Sequence, residues 1–248
     1  MSNHPAKPGS IPSRFGYFFF RYRNGLFPII FLALFMAVRP ALFLGQAKLD
    51  LLVTGIGAAC ALAGGLVRIL TIGLVYIKRG GRDNRVSADD LVTDGIYAHV
   101  RNPMYLGNLL IAAGICLMYG SPWLYAGVFP LFLLIYISIV AEEERYLSTR
   151  FGPEFDAYRR STPRFWPKLN GILATIGNYR FRWKRVLKKE YGTTFSLLAV
   201  VYLLAVWKYG HLHGLFPVHM QRPVVIVPLL LLLAGYLGVV VLKKTRRI

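Results

Sequence analysis

The run at 224–242 holds nineteen residues without a charge among them, enough for a helix of about 30 Å, which matches the hydrocarbon core of a bilayer. Comparable runs fall at 27–45, 51–77, 105–119, 122–141 and 194–207, the third, fourth and fifth of the six being rather short. In lipid every backbone polar group needs a partner within the protein, so a chain built of such runs crosses as helices. The tight "GSP" link at 120–122 makes the third and fourth spans an antiparallel hairpin. The expected fold is therefore all-α: a polytopic transmembrane helical bundle of about six spans, forming one integral membrane domain over 1–248.

Charge sets the orientation. Of 30 Lys and Arg, 25 lie in the N-terminal tail, the 78–104 loop, the 142–192 segment and the C-terminal tail. With six spans all four regions share one side, which the bias of basic loops marks as cytoplasmic, together with both termini. The N-terminal 26 residues are basic, aromatic and free of Asp and Glu, and no small-residue cleavage site follows the first apolar run, so a cleavable signal peptide is not expected. The net charge of +19 would suit a phosphate backbone, but the basic clusters border spans and no nucleic-acid module is present. Anionic lipid headgroups are the expected partners, and "YRFRWKRVLKK" at 179–189 reads as an interfacial helix or topology anchor.

Cys60 and Cys116 lie in apolar runs without CxxC spacing and read as packing residues. His211, His213 and His219 resemble a metal cluster only superficially, because positions 211 and 213 point apart on a helix; no metal site is expected. Arg68, inside the second span, is a functional candidate because ionisable groups are expensive in lipid, unless it lies near enough to the cytoplasmic face to snorkel.

The 78–104 and 142–192 segments carry 10 of the 11 acidic residues, and the chemistry is expected there. In "LVTDGIYAHVRNPMYLG" at 91–107, Gly95 permits a turn and Pro103 suits the first turn of a helix. Tyr97, His99, Arg101, Asn102 and Tyr105 then gather at a helix N-terminus, where free NH groups and an arginine favour an anion. An ordinary helix start with a snorkelling arginine explains the same residues. In "AEEERYLSTRFGPEFDAYRRSTPRFWP" at 141–167, Glu142, Glu143 and Glu144 directly follow a span, so a helix ending there would need cations against its negative end. Arg145 and Arg150 can supply them locally, or the carboxylates can hold a hydroxyl- or amine-bearing ligand.

Together these segments resemble the isoprenylcysteine carboxyl methyltransferase family, which is related to the membrane phospholipid N-methyltransferases. The likeness covers 91–167, with the helical hairpin at 191–242 beyond it. It implies a membrane-embedded methyltransferase that uses S-adenosylmethionine without a soluble nucleotide-binding fold. Arg101, Pro103, Tyr105 and Gly107 fit the family's Arg-His-Pro-x-Tyr-x-Gly motif, and Asn102 stands where His is usual. "NPMY" is similar to the phospholipid branch; Glu143, Glu144, Leu147, Phe151, Gly152, Tyr158 and Pro163 are closer to the isoprenylcysteine branch.

By resemblance, Tyr97, Arg101, Asn102, Tyr105, Gly107, Glu143 and Glu144 line the cofactor pocket, with Tyr158 and Arg164 at its rim or on the substrate side and Arg68 also considered for the substrate. The cofactor offers a carboxylate to Arg101, ribose hydroxyls to a carboxylate such as Glu144, and a sulfonium to aromatic faces. The acceptor is a lipophilic, lipid or prenylated molecule. A carboxylate acceptor arrives ionised and Arg164 can orient it; an amine must lose a proton to a base such as His99 or a glutamate. A small transporter or a non-catalytic scaffold is the rival of another class.

Overall fold

The structure, a computed structural model, describes residues 38–74, 90–213 and 222–245. Seven helices carry these residues: α1 (Ala47–Leu74), α2 (Pro103–Tyr119), α3 (Leu124–Phe151, with a π-helical first turn), α4 (Pro153–Ser161), α5 (Ile172–Asn178), α6 (Trp183–Leu212) and α7 (Pro223–Lys244). Four of them, α1, α3, α6 and α7, are long and apolar enough to cross a membrane; α2, at 17 residues, is a shorter apolar helix. Most of the expected span at 27–45 lies outside the described residues, as does His219, so the count among described residues is four spans and one shorter helix rather than six.

Two expected boundaries move. Glu142, Glu143 and Glu144 do not end a helix, because α3 runs two turns further to Phe151. Glu, Arg and Leu are good helix formers, and leaving the apolar layer does not require the helix to stop. Likewise 183–189 is not a separate interfacial helix but the basic start of α6, which is 30 residues long where the apolar pattern marks only 194–207.

The bundle is built on the seam between α1 and α2. A Cβ at Gly57 would stand 2.7 Å from the Gly114 carbonyl oxygen, and one at Gly64 would stand 2.5 Å from that of Gly107. With fully buried Ala61 between them, these small residues let the two backbones touch, the means by which helices associate where lipid gives no hydrophobic drive. Gly120, at φ 76°, closes α2 in the left-handed conformation and the chain returns in α3, as the short link requires. Leu109, Ala112 and Cys116 of α2 pack with Phe132, Ile135 and Ile139 of α3 and with Leu204 of α6.

Helix α6 lies antiparallel to α1 and is fixed by two buried ion pairs. Lys208 Nζ meets Asp50 Oδ1 at 2.8 Å, and Arg68 Nη2 meets Glu190 Oε2 at 2.8 Å. The partners are 18 residues apart on both helices, roughly 27 Å of helix, so opposite charges meet at both ends in one register. Helix α7 packs back on α6, where Tyr191 stacks on Tyr236 and the Tyr202 hydroxyl donates to the Val224 carbonyl.

Candidate functional site

The segments preceding α2 and following α3 meet at one end of the bundle. Positive-φ Gly95 opens a 3-10 turn over Gly95–Ala98, and Pro103 takes the first position of α2 with Asn102 as its N-cap. The backbone then joins this loop to the 162–168 segment: Arg101 N donates to the Pro163 carbonyl and Lys168 N to that of His99. The Tyr158 hydroxyl donates to the Tyr97 carbonyl at 2.7 Å.

Glu144 is the centre. Its side chain, 8% exposed, receives the Arg101 Nε at 3.1 Å on one oxygen and the Arg164 Nε at 3.0 Å on the other, with Arg164 Nη2 also bound to it. Asn102 Nδ2 reaches Glu144 at 3.4 Å and the Arg164 carbonyl at 3.3 Å. The remaining Arg101 nitrogen, Nη1, donates to the carbonyls of Arg159 and Thr162. Two guanidiniums and one carboxylate thus tie together α2, α3 and the 159–164 segment, an arrangement in which buried charge is both neutralised and hydrogen-bonded.

Partners for the three acids are supplied separately, cations for two of them and a phenol for the third. Glu142 pairs with Arg145 at 2.6 Å, as the local explanation holds, while Arg150 lies over the Phe151 ring. Glu143 accepts from the Tyr105 hydroxyl at 2.6 Å, and Glu144 draws on Arg101 and Arg164.

Beside Glu144 lies a cavity of about 320 Å³, lined by Ala141, Glu144, Arg145, Ser148, Thr149, Arg159 and Arg164. The i, i+3/i+4, i+7/i+8 spacing of 141, 144, 145, 148 and 149 puts them on one face of α3. Of the residues expected to line a cofactor pocket, Glu144 is in this wall; Arg101 and Asn102 stand behind it in contact with Glu144. Tyr105 and Glu143 form a pair of their own, Tyr97 lends its carbonyl to Tyr158, and Gly107 lies against α1. A carboxylate, guanidiniums and hydroxyls on one wall suit a ligand bearing ribose hydroxyls and a carboxylate, so this donor set fits S-adenosylmethionine.

His99 is 6% exposed, and both ring nitrogens are engaged: Nδ1 donates to the Lys168 carbonyl at 2.8 Å, and Nε2 lies 2.8 Å from the Thr175 hydroxyl. It clasps the motif loop to α5. Replacing His99 with phenylalanine is expected to cost about 1–3 kcal/mol of stability by leaving buried partners unpaired, which thermal unfolding in detergent would register. Arg68 lies away from Glu144, held by Glu190 and by Asn108, whose Oδ1 accepts from Nη1. No motif marks Glu190, Asn108, Asp50 or Lys208; for the three charged ones the signal in the sequence is the matched 18-residue spacing of opposite charges, Asp50 to Arg68 and Glu190 to Lys208.

Burial pushes the Tyr97 hydroxyl far above the ordinary tyrosine value, with the Glu143 carboxylate and Tyr158 adding to it. Burial does the same to Tyr158, where Arg101 opposes the shift and Glu144 adds to it. Both phenols stay protonated, and that of Tyr158 donates to the Tyr97 carbonyl. The folded state then holds these protons where the unfolded chain, titrating near pH 10, gives them up. Stability from this source is complete below pH 10 and is lost as pH rises beyond it, by up to about 1.4 kcal/mol per pH unit for each tyrosine. Alkaline unfolding monitored between pH 9 and 12 should show this slope, and Tyr158→Phe should flatten it by roughly half.

Comparison with known proteins adds the following. The sequence pattern of the phospholipid methyltransferase family matches residues 54–154. A nickel-cobalt-cadmium resistance protein of Alcaligenes xylosoxydans xylosoxydans is 33% identical over 162 residues, 64% of this chain and 71% of that one. A cobalt-zinc-cadmium resistance protein of Cupriavidus metallidurans is 31% identical over 169 residues, 67% of this chain and 73% of its own length. The protein-S-isoprenylcysteine O-methyltransferase of Schizosaccharomyces pombe is 39% identical over 74 residues, 29% of this chain and 31% of that enzyme. No solved structure matches the chain.

Proposed function

This chain belongs to the membrane methyltransferase family of the isoprenylcysteine carboxyl and phospholipid enzymes, and from that premise we propose that it methylates a lipophilic acceptor with S-adenosylmethionine at the cytoplasmic face. The observation that carries the reading is the polar cavity beside Glu144, set where the motif helix α2 meets the end of α3. The cytoplasmic placement, with both termini on that side, rests on the basic residues concentrated in the segments around this site.

When bound, S-adenosylmethionine supplies an electrophilic methyl group on a sulfonium. Glu144, in the cavity lining, would accept from ribose hydroxyls on giving up part of its hold on the arginines, and Arg145 or Arg159, also in the lining, would meet the cofactor's carboxylate. Arg101 and Asn102 act through Glu144, fixing its orientation, while Tyr105 holds Glu143, the adjacent carboxylate outside the cavity lining. Arg164, whose side chain is 39% exposed, is the cation that can turn toward an acceptor carboxylate while still held by Glu144. Methyl transfer is an in-line displacement, so alignment and exclusion of water supply most of the rate, and no covalent intermediate with the protein is needed.

The acceptor we favour is a prenylcysteine-type carboxylate, which arrives ionised and asks only for an orienting cation. N-methylation of a phospholipid amine is the second reading, favoured by the match to the phospholipid family and by Asn102 in the motif. It requires a base, and His99 or a glutamate would have to leave its present partner to serve. Two relatives bear metal-resistance names, yet the three glutamates of this site are engaged by Arg145, Tyr105, Arg101 and Arg164, a set arranged for an organic ligand rather than an ion. We propose that any contribution to metal tolerance runs through the methylated membrane component.

The test is methyl transfer by detergent-purified protein from labelled S-adenosylmethionine to a prenylcysteine analogue and, separately, to total membrane lipid. Label released by mild base identifies an ester and the carboxyl reading; base-stable label in lipid identifies the amine reading. No label and no cofactor binding would overturn the enzyme.

A further inference from the structure

Arg68 and Glu190 stand outside the cavity described above, yet they reach the motif helix. Arg68 lies six residues from the end of α1, with its side chain 10% exposed, and Glu190 is 1% exposed. A cation in an apolar bundle needs a counter-ion, and the one it has comes from α6, beyond the 54–154 stretch that carries the family pattern. The guanidinium is a rigid planar fork. Its Nε and Nη2 are both taken by Glu190 Oε2, at 3.1 and 2.8 Å, and this fixes where the remaining Nη1 points: at Asn108 Oδ1, one residue past the motif glycine. The arginine stem lies along that same helix, for a Cβ on Gly107 would come within 2.7 Å of Arg68 Cγ. One turn back from Asn108 stands Tyr105, whose hydroxyl holds Glu143.

We infer that Glu190 is a positioning residue for the methyltransferase site: through Arg68 and Asn108 it sets α2 in the rotation that presents its N-cap Asn102 to Glu144 in the cavity wall and Tyr105 to the adjacent Glu143. The inference rests on the transferase reading above. The second ion pair between the same two helices supplies the matched control. Lys208 binds Asp50 and Thr54 and packs against Gly120, so it fastens α6 to α1 at the far end, away from the 97–108 motif.

The experiment compares full-length Glu190→Gln, Lys208→Gln and Asn108→Ala with the native protein, each as monodisperse material in detergent. Glu190→Gln and Asn108→Ala are expected to lower kcat/KM for S-adenosylmethionine by about tenfold to a hundredfold, the scale of a small misplacement transmitted from a distance. Lys208→Gln should stay within about twofold of native per folded molecule, however far its melting temperature falls. Combining Glu190→Gln with Asn108→Ala should add little, because both act on one path. Amide exchange across 103–110 should quicken in Glu190→Gln and not in Lys208→Gln. Equal losses of kcat/KM in the Glu190 and Lys208 variants, or additive losses in the double variant, would overturn the inference. If the native protein transfers no methyl group, the transferase reading falls, and unchanged exchange across 103–110 in Glu190→Gln would separately overturn the positioning role. Should Glu190→Gln fail to fold, Asn108→Ala, which leaves the Arg68–Glu190 pair intact, decides: native kcat/KM in that variant overturns the inference.

Discussion

Glu144→Ala is expected to remove methyl transfer, by a factor of at least about 100, and to destabilise the protein by about 3 kcal/mol. The two effects have different origins. The carboxylate lines the cavity and is the proposed partner of the ribose, so its loss removes a direct contact with the cofactor. It is also the shared anion of Arg101 and Arg164, and without it the Arg101 guanidinium, 9% exposed, is left buried with only carbonyl acceptors. Glu144→Gln separates them, since the amide keeps the shape and half of the acceptor capacity while losing the charge. Labelled-methyl transfer and thermal unfolding on the same preparations give the answer; an alanine variant that retained activity within about twofold of native would remove Glu144 from the site.

The second large effect is steric. A valine at Gly114 would drive its Cβ to 2.5 Å from the Ala61 backbone nitrogen and onto the Gly57 carbonyl oxygen. Neither is the movable end of a side chain, so α1 and α2 must part, and the cost is expected to reach about 3 kcal/mol or more. Expression, monodispersity on size-exclusion chromatography and the melting temperature all report it. The companion substitution is Gly192→Ala in α6, where nothing lies within 4 Å of the added methyl. There a helix interior gains about 0.5–1 kcal/mol by losing a glycine. A neutral Gly114→Val would mean that the seam does not hold the bundle.

Pattern and motif made much of this molecule readable beforehand. Apolar runs marked α1, α2, α3, α6 and α7, and Gly95, Pro103 and the "GSP" link marked the turns that bring the motif loop to the head of α2. The resemblance groups Glu144 with Arg101 and Asn102 in the cofactor pocket and sets Arg164 at its rim or on the substrate side; in the structure all three contact Glu144. What pattern did not reveal is how the charges would be divided. Arg101 was expected to face a ligand, but folding aims it at Glu144 and at two carbonyls contributed by residues some sixty positions later, a choice made by tertiary packing alone. Helix ends were missed where apolar character stops before helical hydrogen bonding does, as at Phe151 and Trp183. Hydropathy reports the lipid boundary, and the backbone is indifferent to it.

The two ion pairs between α1 and α6 also set a timetable for the ribosome and the translocon. Helix α1 enters the bilayer carrying Asp50 in its first turn and Arg68 six residues from its end, charges that lipid disfavours until they are paired. Glu190 is made 122 residues after Arg68, a delay of roughly 6–25 s at ordinary elongation rates. Throughout that interval α1 holds two charges whose ionic partners have not yet been synthesised. The final ionic pairing of α1 is thus a late event of biogenesis, one that waits on the synthesis of α6.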